Sequence, residues 1–263
     1  MDLQLADKVI IVTGGAKGIG KGIALALAEE GAIPVIVGRK QTDNEHVVSE
    51  ITSKGGKAFA VAAELTEPEA CQNAVEETLQ QFGRIDGLVN NAGLNDGVGL
   101  EEGDYERFIK GLHYSLVHYY LMAHHALPAL KAAKGVILNI GSKTAETGQG
   151  GTSAYAAANG GRNALTREWA VELLPYGIRV NAIIVAECAT PQYDNWIKTL
   201  EHPQETLKQI TDRIPLGQRM TTTAEIAAMT VFLLSPRSSH TTGQLIHVDG
   251  GYVHLDRAVG AGI

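Results

Sequence analysis

Residues 8–38, KVIIVTGGAKGIGKGIALALAEEGAIPVIVG, contain the pattern that decides the fold. A β-branched run, KVIIVTG, is followed by a glycine-rich turn, an alanine-rich helical segment and a second apolar run, IPVIVG. Strand, turn, helix and strand in this order form a βαβ unit, whose two strands lie parallel. The stretch therefore predicts a parallel sheet covered by helices.

The same alternation continues along the chain. A charged helix is predicted at about 44–54, a long helix at about 105–133 and a last strand at QLIHVDGG, residues 244–251. The run GVILNI, residues 135–140, is apolar on both faces, as expected when helices cover both sides of a sheet. We predict one α/β domain over residues 1–263, a doubly wound Rossmann-type parallel sheet with helices on both faces.

Composition and charge exclude several classes of partner. The 263 residues carry a net charge of −7, which argues against a broad basic face for nucleic acid or for an anionic membrane. Cys71 and Cys188 have no metal-ligand spacing, so we expect free thiols, no bound metal and a reducing, cytoplasmic compartment. The apolar stretch near the N-terminus is too short for a signal peptide or a membrane span.

Three glycines, Gly14, Gly18 and Gly20, occupy the turn between the first strand and the first helix. Glycine lets backbone amides approach a pyrophosphate at the positive end of a helix. Glycines alone are weak evidence, because any tight turn uses them. Their position after strand one and before an alanine-rich helix makes a dinucleotide site the favoured interpretation.

Several separate motifs follow in a recognisable order. They are T-G-x-x-x-G-I-G at 13–20, NNAG at 90–93, a strand ending in Ser142, Tyr155 thirteen residues later, and VDGG at 248–251. Together they resemble the short-chain dehydrogenase/reductase family over nearly the whole chain. The resemblance implies a nicotinamide dinucleotide cofactor, a small-molecule substrate and a homodimer or homotetramer formed through the long helices.

The resemblance also assigns cofactor contacts to the glycine turn, to the ends of the next strands, to the Tyr155 helix and to a later loop. These residues are Gly14, Lys17, Gly18, Ile19, Gly20, Arg39, Glu64, Leu65, Asn91, Ala92, Gly93, Tyr155, Asn159 and Thr190. An acidic residue at the end of strand two would bind the ribose 2′-hydroxyl of NAD, but Gly38 stands there, followed by Arg39. Lys17 and Arg39 could clamp a 2′-phosphate, which favours NADP over NAD; alternatively both are solvated surface cations.

By resemblance, Tyr155 is the acid/base that exchanges a proton with the substrate oxygen, and Ser142 holds that oxygen. A phenol does this near neutral pH only if a positive charge stabilises its ionised form. Relatives carry a lysine four residues after the tyrosine, whereas this chain has Asn159. They also carry an asparagine in the long helix, which supports a proton relay, whereas the alignment places Ser115 there.

Two interpretations of these changes remain open. In one, another cation replaces the lysine: Arg162 shares a helical face with Tyr155 and Asn159, and Lys143 follows Ser142, although strand alternation would point it away from that serine. Because exposed arginines are common in proteins, we expect Arg162 to be an ordinary charge on the surface of the helix. In the other, the chain binds a dinucleotide with little catalysis. Restoring lysine at position 159 is expected to raise activity.

Within the family, GSKTAETGQGGTSAY, AECATPQYDNW and GGYVHLDRA resemble sugar-oxidising members, L-fucose dehydrogenases in particular. Candidate substrate contacts, which could equally be rim residues, are Lys143, Glu146, Gln149, Glu187, Asn195 and Trp196. The irregular stretch 186–218 is a candidate substrate lid or, alternatively, a surface insertion. Val185 and Ala186 stand where relatives have Pro-Gly, so the geometry of the following loop is open to question.

Overall fold

A parallel sheet of seven strands runs through the centre of the protein, in the order β3-β2-β1-β4-β5-β6-β9. The structure is a computed structural model and describes residues 1–255. The strands are β1 Val9–Thr13, β2 Ile33–Gly38, β3 Phe59–Ala62, β4 Gly87–Asn90, β5 Val136–Ser142, β6 Arg179–Val185, β7 Cys188–Ala189, β8 Thr221–Thr222 and β9 Leu245–Val248. The short strands β7 and β8 pair with each other outside the main sheet.

Helices cover both faces of the sheet. They are α1 Gly18–Glu29, α2 Gln41–Ser53, α3 Pro68–Phe82, α4 Tyr105–Leu112, α5 His118–Ala133, α6 Ser153–Glu172, α7 Pro191–Ile197, α8 Pro203–Thr211 and α9 Thr223–Leu234. Helices α1 and α9 pack together over one face, while α3, α5 and α6 bury the other. Strands such as β1 are buried along their whole length, which explains their uninterrupted apolar sequence. The predicted doubly wound fold is confirmed.

Three elements differ in detail from the sequence-based prediction. The predicted helix at 105–133 is divided into α4 and α5 by a π-helical turn over His113–Val117. The predicted helix at 44–54 begins three residues earlier, at Gln41. The stretch 186–218, expected to be irregular, contains the two short helices α7 and α8.

Both cysteines are free and buried, as predicted. Burial raises the pKa of Cys71 to about 11 and that of Cys188 to about 12, so both thiols stay protonated near neutral pH. Within residues 1–255, every helix falls short of the length and apolar character needed to cross a membrane.

The strand order reverses between β1 and β4, which defines a crevice beyond the carboxyl ends of the strands. Four chain segments leave the sheet at this edge: the glycine turn after β1, Asn91–Gly93 after β4, the turn that follows Ser142, and the loop that begins at Ala186. The glycine turn, the NNAG segment and the segment after Ser142 therefore lie along one edge of the sheet.

Candidate active site

The glycine turn after β1 is packed too tightly for side chains. Gly14 and Gly18 have positive φ angles of 65° and 52°, and a Cβ on Gly20 would lie 2.2 Å from the carbonyl oxygen of Gly14. The Asn91 side chain locks the turn to the end of β4, because its Nδ2 donates to the carbonyl oxygen of Thr13 at 2.9 Å. The turn thus holds the first amides of α1 open towards the crevice, as a pyrophosphate requires.

Thr190 faces the same turn from the opposite side of the crevice. A Cβ on Gly18 would lie 3.4 Å from the Thr190 methyl group. The Thr190 hydroxyl also caps α7, since it accepts a hydrogen bond from the backbone N–H of Tyr193 at 3.2 Å. The loop after β6 therefore closes over the glycine turn despite the Val185-Ala186 departure, and the β7–β8 pairing supports it.

The two expected phosphate cations each face a carboxylate. Lys17 Nζ lies 2.7 Å from Asp43, and Arg39 Nη1 lies 3.9 Å from Glu64. The Lys17 and Arg39 side chains are 68% and 71% exposed, so these are surface ion pairs. Both cations stand at the end of the crevice where the sequence places the ribose.

The remaining cofactor candidates differ in exposure. Ile19 packs against the core beside α1, and Leu65 is buried in the core on the opposite face of the sheet. Ala92 donates its N–H to Thr13 Oγ1 at 3.1 Å, which fixes the NNAG segment above β4.

Ser142 ends β5 with its hydroxyl oxygen already accepting two hydrogen bonds. Both come from Thr144, whose N–H and Oγ1 lie 3.3 Å and 3.2 Å from Ser142 Oγ. These contacts use the lone pairs of the oxygen and leave the Ser142 proton available to donate. Tyr155 stands in the first turn of α6 and is partly exposed.

Beneath Tyr155, the Asn159 side chain joins the helix to an arginine. Asn159 is fully buried; its Nδ2 donates to the carbonyl oxygen of Tyr155 at 2.8 Å, and its Oδ1 accepts from Arg162 Nη1 at 3.0 Å. Arg162 is only 3% exposed. The expectation that Arg162 is a surface charge is therefore wrong, because α6 turns this face towards the core.

Ser115 lies in the π-helical turn and is fully buried. Its hydroxyl donates to the carbonyl oxygen of Leu94 at 3.0 Å and accepts from the Leu94 N–H at 3.2 Å, which ties down the loop after NNAG. Its carbonyl oxygen accepts from Arg162 Nε at 2.6 Å. In this structure Ser115 holds the loop and the arginine.

Lys143 and Glu187 form a buried ion pair beside Ser142. The Lys143 and Glu187 side chains are 9% and 13% exposed, and the ammonium also lies 4.0 Å from the centre of the Tyr252 ring. The chain turns after β5, so strand alternation no longer determines where Lys143 points. Burial and, after it, the neighbouring Glu187 carboxylate raise the pKa of Tyr193, which therefore stays protonated near neutral pH. Tyr193 and Tyr252 were not anticipated from the sequence.

The other substrate candidates are dispersed. Trp196 is 47% exposed and contacts Tyr193 edge to face, whereas Gln149 and Asn195 are exposed. Glu146 turns towards the sheet edge, where its carboxylate lies 2.9 Å from His247 Nε2.

His254 joins this pair, and the donor atoms of Glu146, His247 and His254 lie within 4.8 Å of one another. The sequence predicted no metal site, and it gives no sign of this grouping because the three residues come from separate elements. The existing contact between Glu146 and His247 explains the arrangement as a hydrogen-bonded surface cluster.

Comparison with known proteins gives consistent matches over the whole chain. The family model described as enoyl-(acyl carrier protein) reductase matches residues 14–253. An L-fucose dehydrogenase of Bos taurus is 34% identical over 99% of this chain and 95% of its own length. The 3-oxoacyl-[acyl-carrier-protein] reductase FabG of Thermotoga maritima is 35% identical over 95% of this chain and 100% of its own length.

Solved structures agree. The crystal structure of Cj0485 dehydrogenase has a TM-score of 0.93 and 45% identity, with 98% of each chain covered. That of levodione reductase has a TM-score of 0.89 and 32% identity, covering 94% of this chain and 98% of the other.

Proposed function

Because this chain belongs to the short-chain dehydrogenase/reductase family of NAD(P)-dependent oxidoreductases, we propose that it transfers a hydride between the nicotinamide and a sugar or related polyol. Tyr155 is the acid/base in this proposal, and Ser142 orients the substrate oxygen. The observation that carries it is the buried Lys143–Glu187 pair next to Ser142.

The residues around the crevice fit the cofactor. A Cβ on Gly14 would lie 3.0 Å from Asn91 Nδ2 and one on Gly20 would lie 2.2 Å from the Gly14 carbonyl oxygen, so close packing holds the backbone of this turn in place, and Thr190 stands opposite. Bound there, the nicotinamide supplies the carbon that takes or gives the hydride. Asn91, Ala92 and Gly93 would form the floor of the site, because they follow β4 directly.

We further propose that NADP(H) is the preferred cofactor. Arg39 and Lys17 are mostly exposed, and surface ion pairs of this kind contribute about 0–1 kcal/mol. A 2′-phosphate offers both cations a stronger, charge-assisted partner, so they can exchange Asp43 and Glu64 for it at little cost.

Proton transfer falls to Tyr155 and Ser142. Because Thr144 occupies the acceptor positions of Ser142, the Ser142 hydroxyl is left to donate a hydrogen bond to the substrate oxygen. That donor holds the oxygen next to Tyr155, whose phenolate takes the proton when an alcohol is oxidised and whose phenol returns it when a carbonyl is reduced.

The Lys143–Glu187 pair gives the proposal its substrate class. Neighbouring hydroxyls of a sugar each present one donor and two acceptor positions, and a lysine beside a carboxylate offers the complementary set. The Tyr193 hydroxyl, beside Glu187, is a further hydrogen-bonding group for the substrate. The exposed face of Trp196 offers a surface on which a sugar ring can stack.

A second candidate is a dinucleotide-binding protein with little catalysis. It is favoured by one observation: Asn159 is uncharged, and both ends of its amide are already used by Tyr155 and Arg162. The two candidates predict the same cofactor binding and differ in turnover.

Turnover on a graded set of alcohols separates the two candidates. L-fucose, cyclohexane-1,2-diol and cyclohexanol present many, two and one hydroxyl groups, and each is assayed with NAD and NADP at the nicotinamide absorbance. The proposal predicts that kcat/KM falls along this order, because fewer hydroxyls meet Lys143 and Glu187. Cofactor binding without turnover of any substrate would support the second candidate. Equal kcat/KM values for all three alcohols would show that Lys143 and Glu187 do not bind the substrate hydroxyls.

We also propose a homodimer or homotetramer. On α5, Tyr120 is 51% exposed and stacks on His124, and on α6 Val171 is 68% exposed. Large apolar side chains on the outer faces of both long helices suit a helix-to-helix contact between copies of the chain.

A further inference from the structure

A buried arginine lies beneath the proposed proton-transfer tyrosine. The guanidinium carbon of Arg162 is 6.0 Å from the centre of the Tyr155 ring and 4.2 Å from the centre of the Tyr119 ring. Tyr155, Asn159 and Arg162 follow one another on a single face of α6. A positive charge thus occupies the region where relatives carry the lysine.

The hydrogen bonds of Arg162 leave its charge uncompensated. Nε donates to the carbonyl oxygen of Ser115, and Nη1 donates to those of Ile140 at 3.1 Å and of the Asn159 amide. All three acceptors are neutral oxygens. A guanidinium whose contacts are carbonyl groups and an aromatic face keeps its field, whereas a carboxylate partner would cancel it.

One end of the guanidinium lies beside Gly93, in the segment that follows β4. Within residues 1–255, the buried Nη2 has no hydrogen-bond partner. A Cβ on Gly93 would lie 2.8 Å from Nη2, so this nitrogen lies against the NNAG segment that floors the crevice. A side chain at position 93 would therefore require the Arg162 guanidinium to shift.

Two titratable neighbours respond to the same environment. Burial and, after it, the Arg162 charge lower the pKa of His118 to about 3. Burial raises the pKa of Tyr119 to about 12, although the Arg162 charge acts in the opposite direction. Both side chains are therefore neutral near pH 7 and do not offset the arginine.

Further charged groups lie on the segments that pack near the start of α6. Asp96 lies on the loop before α4, near Ala154, and Lys143 and Glu187 face the site as a pair. Lys143 and Glu187 oppose each other, and Asp96 is unchanged in all the variants below.

We propose that Arg162 is the positioning residue that stabilises the ionised form of the Tyr155 phenol, and that Asn159 holds the guanidinium in place. Asn159 and Arg162 then form one unit that replaces the single lysine of relatives. The inference rests on the proposed function for its effect on turnover, because a stabilised phenolate matters to the rate only if Tyr155 transfers a proton.

This pairing changes the expectation for Asn159→Lys. A lysine at 159 would place an ammonium against the Arg162 guanidinium in a site that is fully buried, and it would remove the oxygen that accepts from Nη1. We therefore expect Asn159→Lys alone to lower activity. Asn159→Lys combined with Arg162→Met rebuilds the arrangement of relatives, and this double variant should be more active than Asn159→Lys alone.

The test is the pH profile of kcat for alcohol oxidation in wild type, Arg162→Met and Arg162→Lys. Arg167→Met is the matched control, since Arg167 is exposed on the same helix. We expect Arg162→Met to move the rise of kcat at least one pH unit towards alkali, a tenfold loss near neutrality, and Arg162→Lys to recover part of it. Arg167→Met should follow wild type. An unmoved profile in folded Arg162→Met would overturn the inference.

A second measurement does not depend on turnover. Tyrosinate absorbance is titrated with NADP present in wild type and in Arg162→Met, each minus its own Tyr155→Phe counterpart, so that the difference reports on Tyr155 alone. The inference predicts a higher titration midpoint in the Met variant, and coincident midpoints would refute it. Separate midpoints without turnover on any alcohol would uphold the inference and reject the proposed function.

Discussion

The Lys143–Glu187 pair should couple stability to substrate binding. Lys143→Met leaves the Glu187 carboxylate, which is 13% exposed, without its cation. Breaking a buried ion pair on one side costs about 3–5 kcal/mol. For a chain of this size each kcal/mol corresponds to about 2–4 °C in Tm, so we expect a drop of roughly 6–20 °C.

Calorimetry or urea unfolding measures this drop, and two further variants interpret it. Lys143→Met with Glu187→Leu removes both charges and should return most of the lost stability while still raising KM for a sugar. Arg219→Met is the control, because the Arg219–Glu225 pair is exposed and should contribute no more than about 1 kcal/mol. A Lys143→Met effect as small as that of Arg219→Met would refute the claim that the pair is a buried, coupled unit.

Three further predictions address the cofactor, the core and assembly. Arg39→Asp should weaken NADP binding tenfold or more, since a charge-assisted hydrogen bond contributes about 1.5–3 kcal/mol. The control is Lys54→Asp, at the C-terminal end of α2, which should leave the NADP dissociation constant unchanged. Equal NADP dissociation constants for wild type and Arg39→Asp would exclude Arg39 from the site. The pKa of His118 is lowered to about 3, so between about pH 6.5 and pH 3 the unfolded chain binds a proton at His118 that the folded protein does not bind. The free energy of unfolding should therefore decrease as the pH is lowered from about 6.5 to about 3, and it should decrease less in His118→Gln. Urea unfolding at several pH values measures this. Tyr120→Glu should lower the mass measured by light scattering at micromolar concentration, and a monomeric wild type would contradict the proposed assembly.

The fold could be predicted from the sequence because its signals are local and repeated. Strands β1, β2, β5 and β6 are short runs rich in β-branched residues, and the turn from β1 into α1 contains glycine at a position where a Cβ would collide with backbone, Gly20. The π-helical turn at His113–Val117 could not be predicted in this way, because a stretch of five residues between two helices is too short to show its own periodicity.

The sequence predicts which residues belong to the candidate site, but it predicts only some of the contacts between them. Helical spacing places Tyr155, Asn159 and Arg162 on one face, yet it does not say whether that face meets solvent or core. Packing of α4 and of the π-helical turn against α6 decides this, and it depends on residues far away in the sequence. The Lys143–Glu187 pair likewise joins the ends of β5 and β6, which are neighbours only in the folded sheet.

The central claim is that Tyr155 carries the proton in a hydride transfer. The direct measurement compares kcat for sugar oxidation in wild type and Tyr155→Phe, with the NADP dissociation constant determined separately for each. General acid–base catalysis contributes about 10²–10⁴ in rate, so we predict a loss of this size with cofactor affinity unchanged. A Phe variant that binds NADP and keeps the wild-type kcat would contradict the account.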